Sequence, residues 1–161
     1  MAVTQDILRS WRSPAKMAER LMQSVQREDR ALAYVMVGCF VIFIAQLPRL
    51  ARLSLEAGGG LDRLAAYEFV GWLIIWPLGL YLIAGLSGLV LRAVGFSIAQ
   101  HQARLALFWA VLASVPAALL YGLVNGFIGP SIAANITGAL WIGGFIIIWG
   151  AGLRAGVRKD G

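Results

Sequence analysis

Charge is so unevenly spread along this chain that three long tracts carry none. Ala31–Pro48 holds 18 uncharged residues, Phe69–Leu91 holds 23 and Leu105–Leu153 holds 49. A helix needs about 20 apolar residues to cross roughly 30 Å of hydrocarbon. The first two tracts each fit one crossing. The third fits two, joined by about nine residues with turn chemistry at Asn125-Gly126, Gly129-Pro130 and Asn135. The tracts are continuously apolar, whereas barrel strands alternate in and out. The expected fold is therefore all-α: a polytopic membrane protein with four transmembrane helices at about 31–47, 69–92, 105–123 and 136–153. An amphipathic N-terminal segment, 1–30, precedes this domain, and a short tail, 156–161, follows it.

Composition points the same way. Sixty per cent of the residues are hydrophobic and 14% are charged, against about 25% charged in soluble domains. A soluble fold of this size leaves much of its surface exposed and could not hide that apolar content. Soluble enzymes, disordered chains and nucleic-acid modules are excluded, and the net charge of +6 belongs to membrane topology. The first expected span, 31–47, is followed directly by Pro48 and reads as short and upright. About thirty largely polar residues before it, and no small-residue cleavage site after it, argue against a signal peptide.

Lys and Arg set the orientation. Placing both termini in the cytoplasm puts eleven of them inside and three (Arg49, Arg52 and Arg63) outside. Aromatic residues support the same belts: Tyr34, Trp109 and Trp149 near cytoplasmic ends, and Tyr67, Trp72, Tyr121 and Trp141 near outer ends. Trp76 lies deeper and is expected to pack between helices. The expected location is an inner membrane, with both termini cytoplasmic.

Outside the spans, Ser13-Pro14 reads as an N-cap followed by a first-turn proline. Ala18, Leu21, Met22 and Val25 then form an apolar stripe, and Ile7, Leu8 and Trp11 form a shorter one before it. With Arg9, Arg12, Lys16, Arg20, Arg27 and Arg30 beside these stripes, the segment is expected to lie on an anionic membrane surface or to dock a partner. Leu50, Leu53 and Leu55 form a further stripe in the first loop, ended by Gly58-Gly59-Gly60, with Asp62 as a candidate cap for the next helix. No strand precedes the glycines and no Lys-Ser/Thr follows them, so they are not a phosphate-binding loop.

Reactive chemistry is sparse. A single cysteine, Cys39, and a single histidine, His101, exclude an internal disulfide and multi-histidine metal ligation. No cofactor or metal is expected. Ser87, Ser97, Ser114 and Thr137 have no activating partner in sequence, and no hydrolase motif occurs. His101, between Gln100 and Gln102, reads as a solvated loop residue. Gln46, Glu68, Asn125 and Asn135 are the polar candidates, all near span ends. Glu68 is the one that a transport reading would need. The small-residue pairs Ala84/Gly88, Gly122/Gly126, Ala134/Gly138 and Ala139/Gly143 are four apart, the spacing that lets helices approach closely in lipid. Pro77 and Pro116 are expected to kink their spans.

The layout resembles the Yip-type (Ypt-interacting protein) family of small multi-span membrane proteins, in its bacterial branch. The resemblance rests on Ser13-Pro14 with Ala18, Leu21 and Met22 on a short helix, the first span after it, Trp76-Pro77-Leu78-Gly79, and the closely spaced final helical pair, over roughly residues 13 to 155. It implies a non-enzymatic bundle that binds other membrane proteins or shapes the bilayer. Eukaryotic members are similar to five-span proteins with an Asp-Leu-Tyr-Gly-Pro-type cytosolic motif. This chain has four spans and lacks the motif, so GTPase binding and individual functional residues do not carry over.

These readings lead to a non-catalytic adaptor or accessory subunit docked on a larger membrane assembly. Its expected partners are membrane lipids, other integral membrane proteins or further copies of itself, and no nucleic acid. The alternative is a small transporter or channel, working as an oligomer with its pore between subunits.

Overall fold

Each uncharged tract folds as helix, and each helix runs past the charges that bound it. The computed structural model describes residues 3–23, 28–58 and 60–159. Among these, α1 (Val3–Arg12) and α2 (Pro14–Gln23) precede α3 (Glu28–Ala57). Then come α4 (Leu61–Val70), a π-helical turn (Gly71–Ile75) and α5 (Trp76–Ala93), which together make one unbroken rod. The last two helices are α6 (Gln100–Phe127) and α7 (Ile132–Gly156). Four rods (α3, α4–α5, α6 and α7) are long and apolar enough to cross a membrane. The chain is an all-α bundle of multi-pass membrane type.

The spans are longer than their apolar tracts suggest. Pro48 does not end the first one. It lacks an N–H and so cannot bond back to the Ile44 carbonyl, yet α3 continues nine residues beyond it. Packing explains this: Leu50 is buried, and Gly126 of α6 sits against Pro48 and Arg49. Leu50, Leu53 and Leu55 therefore belong to the end of α3 rather than to a separate loop helix. Gly58, at φ +62°, turns the chain. Gly60 stands at the N-terminus of α4, so Asp62 lies in the first helical turn and is not the cap. There its charge still faces the positive end of the helix. Before Pro77, the π-helical turn widens the rod where the i−4 bond must be missing, a recognised cause of helix distortion. The α6–α7 connection is also shorter than expected. Asn125 ends inside α6 and Asn135 inside α7, leaving residues 128–131 as the turn. Gly129 takes φ +83°, and Ser131 accepts the Ala134 N–H at 3.2 Å.

α6 is the central helix. Two thirds of its most apolar window (67%) is buried by protein, against 22% for the α4–α5 rod and 17% for α7. α3 makes the most extensive interface with it. Gly122 admits the backbone of Ala45, so that a Cβ there would lie 2.7 Å from the Ala45 carbonyl carbon. Gly38 of α3 admits Val111 in return, and Gly152 of α7 admits Ala106. At one end of the bundle, β1 (Phe96–Ser97) and β2 (Arg158–Lys159) pair antiparallel, with Phe96 opposite Lys159. That pairing ties the α5–α6 connection to the C-terminal tail.

The N-terminal segment differs most from expectation. α2 begins at Pro14 as anticipated, but its apolar stripe packs on α7 rather than on lipid: Met17, Ala18 and Leu21 are buried. Trp11, expected at a membrane or partner surface, enters the bundle instead. Its ring takes the space that a side chain at Gly144 would need, and its Nε1 donates to the Ala113 carbonyl at 2.8 Å. Ser10 beside it is buried and accepts the Trp109 Nε1–H at 3.0 Å. An indole ring offers a large apolar area and needs one acceptor, and a glycine-lined slot between two helices supplies both conditions. Val25 and Arg27 lie outside the described residues.

Candidate functional site

The polar side chains of the spans converge at the end of the bundle that carries the α6–α7 turn. On α3, residues 46 and 49 are one helical turn apart and face the same way. Arg49 donates from Nε to Gln46 Oε1 at 3.0 Å and from its terminal nitrogen to Glu68 Oε1 at 2.6 Å. Glu68, on α4, accepts the indole N–H of Trp72 on its other oxygen at 3.1 Å. The ion pair is about one-third exposed on both sides, 31% and 30%. Water or headgroups therefore reach it.

Below this pair, a cleft of about 530 Å³ runs into the bundle between all four spans. α3 contributes Cys39, Ile42 and Gln46, the α4–α5 rod Trp72, Trp76 and Leu80, α6 Val111, Ser114 and Tyr121, and α7 Trp141, Ile142 and Phe145. Trp72 and Trp76 stack at 5.3 Å, and Trp141 stands 6.5 Å from Trp72 and 5.7 Å from Tyr121. These four rings form one wall. Further polar groups of the lining are bonded: Asn125 donates to the Tyr121 hydroxyl, Trp141 donates to Ser114 Oγ, and Ser114 donates to the Val111 carbonyl. The result is a largely apolar pocket of ligand-binding size with a few fixed polar groups at its mouth.

Of the polar candidates, Gln46, Glu68 and Asn125 meet at this cleft. Asn135 is exposed on α7 and stands apart from it. Trp76 lines the cleft and is 48% exposed, rather than being packed between helices. His101 is also not a solvated loop residue. It lies in the first turn of α6, partly buried, and its Nε2 has no hydrogen-bond partner among the described residues. Arg9, Arg12, Lys16, Arg20 and Arg30 are exposed, and Arg9 faces Asp6 at 3.4 Å.

The small-residue pairs divide. Gly122 and Gly126 receive α3, Ala134 is buried, and Gly138 lies under the Tyr121 ring. Ala84 is buried, and Gly88 faces the Gln100 side chain. Ala139 and Gly143 make no close approach among the described residues: Ala139 is exposed, and nothing there comes within 4 Å of a Cβ built on Gly143. With α7 covered on its other side by α6 and α2, this face points out of the bundle.

Arg49 was missed as a site residue because Pro48 reads as a terminator, which places Arg49 in a loop. The signal was present in the i, i+3 spacing of Gln46 and Arg49 and the i, i+4, i+8 spacing of Glu68, Trp72 and Trp76. No group of three or more metal-ligating side chains occurs among the described residues. No family model, curated protein or solved structure matches the chain.

Proposed function

We propose that this chain is a non-catalytic accessory protein of the inner membrane, with both termini cytoplasmic, that docks on another membrane-spanning protein through the outward face of α7. The observation that carries this reading is the Ala139/Gly143 pair. It has the spacing that lets helices approach closely, it makes no close approach among the described residues, and it lies on the span least covered by its own protein. Helix association in lipid is driven by such close packing. Gln46, Arg49, Glu68 and Trp72 are bonded in one run at the cleft, an arrangement suited to holding rather than to reaction. The excess of Lys and Arg at the α5–α6 end supports the orientation. Membership in the Yip-type family is part of this proposal and rests on the hydropathy layout.

The test is gentle detergent extraction followed by identification of co-purifying proteins, repeated with Gly143→Leu. The substitution has open space around it, so melting should not change, whereas a partner seated on α7 should be lost. A chain that emerges alone, or a partner retained by the variant, contradicts the proposal.

The convergence of Gln46, Arg49 and Glu68 on one cleft also gives the transporter reading a specific basis. Under it, Glu68→Gln abolishes uptake or efflux of the cargo. Under the accessory reading, complex formation survives that change.

A further inference from the structure

We propose that the cleft is a binding site for one acyl chain of a zwitterionic phospholipid, with the Arg49–Glu68 pair holding its headgroup. Three observations carry this.

The first is length. The cleft is lined from Arg49 to Cys39, ten residues along α3, or about 15 Å at 1.5 Å per residue. That is half of a hydrocarbon core of roughly 30 Å. The cleft therefore spans the depth of one leaflet, the leaflet at the α6–α7 turn, and stops near the bilayer middle.

The second is polarity. Ile42, Leu80, Val111 and Phe145 line the deep part, where Ser114 and the Trp141 indole are bonded to each other, and the ionic pair stands at the mouth. An amphiphile lying parallel to the helices matches that gradient. Trp72 and Trp141 flank the passage, and indole rings suit a boundary between polar and apolar parts of an amphiphile.

The third is charge. One guanidinium and one carboxylate stand side by side, partly exposed, so the mouth is net neutral but strongly dipolar. Arg49 uses its Nε and one terminal nitrogen in the bonds to Gln46 and Glu68. Its remaining terminal nitrogen is the donor available to a phosphate, which guanidinium geometry suits. The Glu68 carboxylate and the aromatic faces around it suit an ammonium group. A phosphoethanolamine headgroup carries both charges, joined by two carbons. An anionic headgroup would satisfy Arg49 alone and meet the repulsion of Glu68.

The experiment is native mass spectrometry of the purified, delipidated full chain, titrated with phosphatidylethanolamine or with phosphatidylglycerol of the same acyl chains. Wild type should bind one phosphatidylethanolamine at least about tenfold more tightly than phosphatidylglycerol, the ratio that about 1.4 kcal/mol of headgroup discrimination produces. Glu68→Gln keeps one acceptor oxygen where the carboxylate offers two, one to Arg49 and one to Trp72, and leaves the mouth net positive, so the preference should reverse toward phosphatidylglycerol. The paired swap Arg49→Glu/Glu68→Arg retains an ion pair with its dipole reversed, although the Trp72 indole loses its acceptor; it should lose the preference while keeping the helical circular dichroism of wild type. Glycerophosphoethanolamine, which has no chains, should not displace the lipid. Equal binding of the two lipids by wild type, an unchanged preference in Glu68→Gln, or displacement by the chainless headgroup would each overturn the proposal. Whether another protein co-purifies has no bearing on these outcomes.

Discussion

Adding a single methyl group at Gly122 should separate the two helices that hold the bundle together. A Cβ there would overlap the Ala45 carbonyl group, with its carbon only 2.7 Å away. Backbone cannot rotate aside as a side-chain end can, so α3 and α6 must move apart. A shift of roughly 0.5–1 Å forfeits about a quarter to a half of the contact energy of the atoms involved. This is the most extensive interface in the molecule, so the loss extends along the whole seam. Overpacking of a well-packed core typically costs about 1–3 kcal/mol, and Gly122→Ala belongs at the upper end of that range. Gly143→Ala is the matched control, with the same chemistry on a face where nothing lies within 4 Å. Unfolding in mixed micelles, titrated with sodium dodecyl sulfate and followed by tryptophan fluorescence and circular dichroism, compares the two. Gly122→Ala should unfold at clearly lower denaturant, and Gly143→Ala should match wild type. Equal stability of the two variants would refute the close approach of α3 and α6.

Trp11→Ala removes a half-buried ring and its bond to Ala113; a Trp→Ala change in a core costs about 3–5 kcal/mol, so the loss belongs at or below the low end of that range, and limited proteolysis should then cut α1 rapidly at Arg9 or Arg12. Arg49→Ala leaves the Glu68 carboxylate with only the Trp72 donor. Because the pair is partly exposed, the expected loss is about 1 kcal/mol, and a double-mutant cycle with Glu68→Gln should show coupling of that size. Gly129→Ala forces a side chain into φ +83° against the Arg52 guanidinium and should destabilise by about 1–3 kcal/mol in the same micelle titration.

The architecture was legible in the sequence because hydrocarbon imposes a strict rule. Backbone groups must bond within their own segment, so an uncharged run of sufficient length can only be helix. That rule yields the number and order of the spans. It says nothing about where a helix stops once it leaves lipid, which is why Pro48 and Asn125 were misplaced as boundaries; packing of α3 on α6 decided both. Hydropathy also cannot tell a stripe that faces lipid from one that faces a neighbouring helix, since both are equally apolar. The α1–α2 segment was misjudged for that reason, and only the glycine at position 144 hints at the slot that Trp11 fills. Three residues of the cleft were visible as single polar positions, Gln46, Glu68 and Asn125. Their meeting point was not, because it depends on which faces of four helices turn inward. Ala139/Gly143 and Gly122/Gly126 look alike in sequence, yet one faces outward and the other is filled by α3.

The four-span arrangement is tested most directly by reporter fusions after Gly95, Gly129 and Gly161, using an enzyme active only outside the cytoplasm. The pairing of β1 with β2 places the first of these loops at the same end as the C-terminal tail. Activity at Gly129, with silence at Gly95 and Gly161, is the predicted result. Matching activity at Gly95 and Gly129 would contradict it, because α6 would then not cross the membrane.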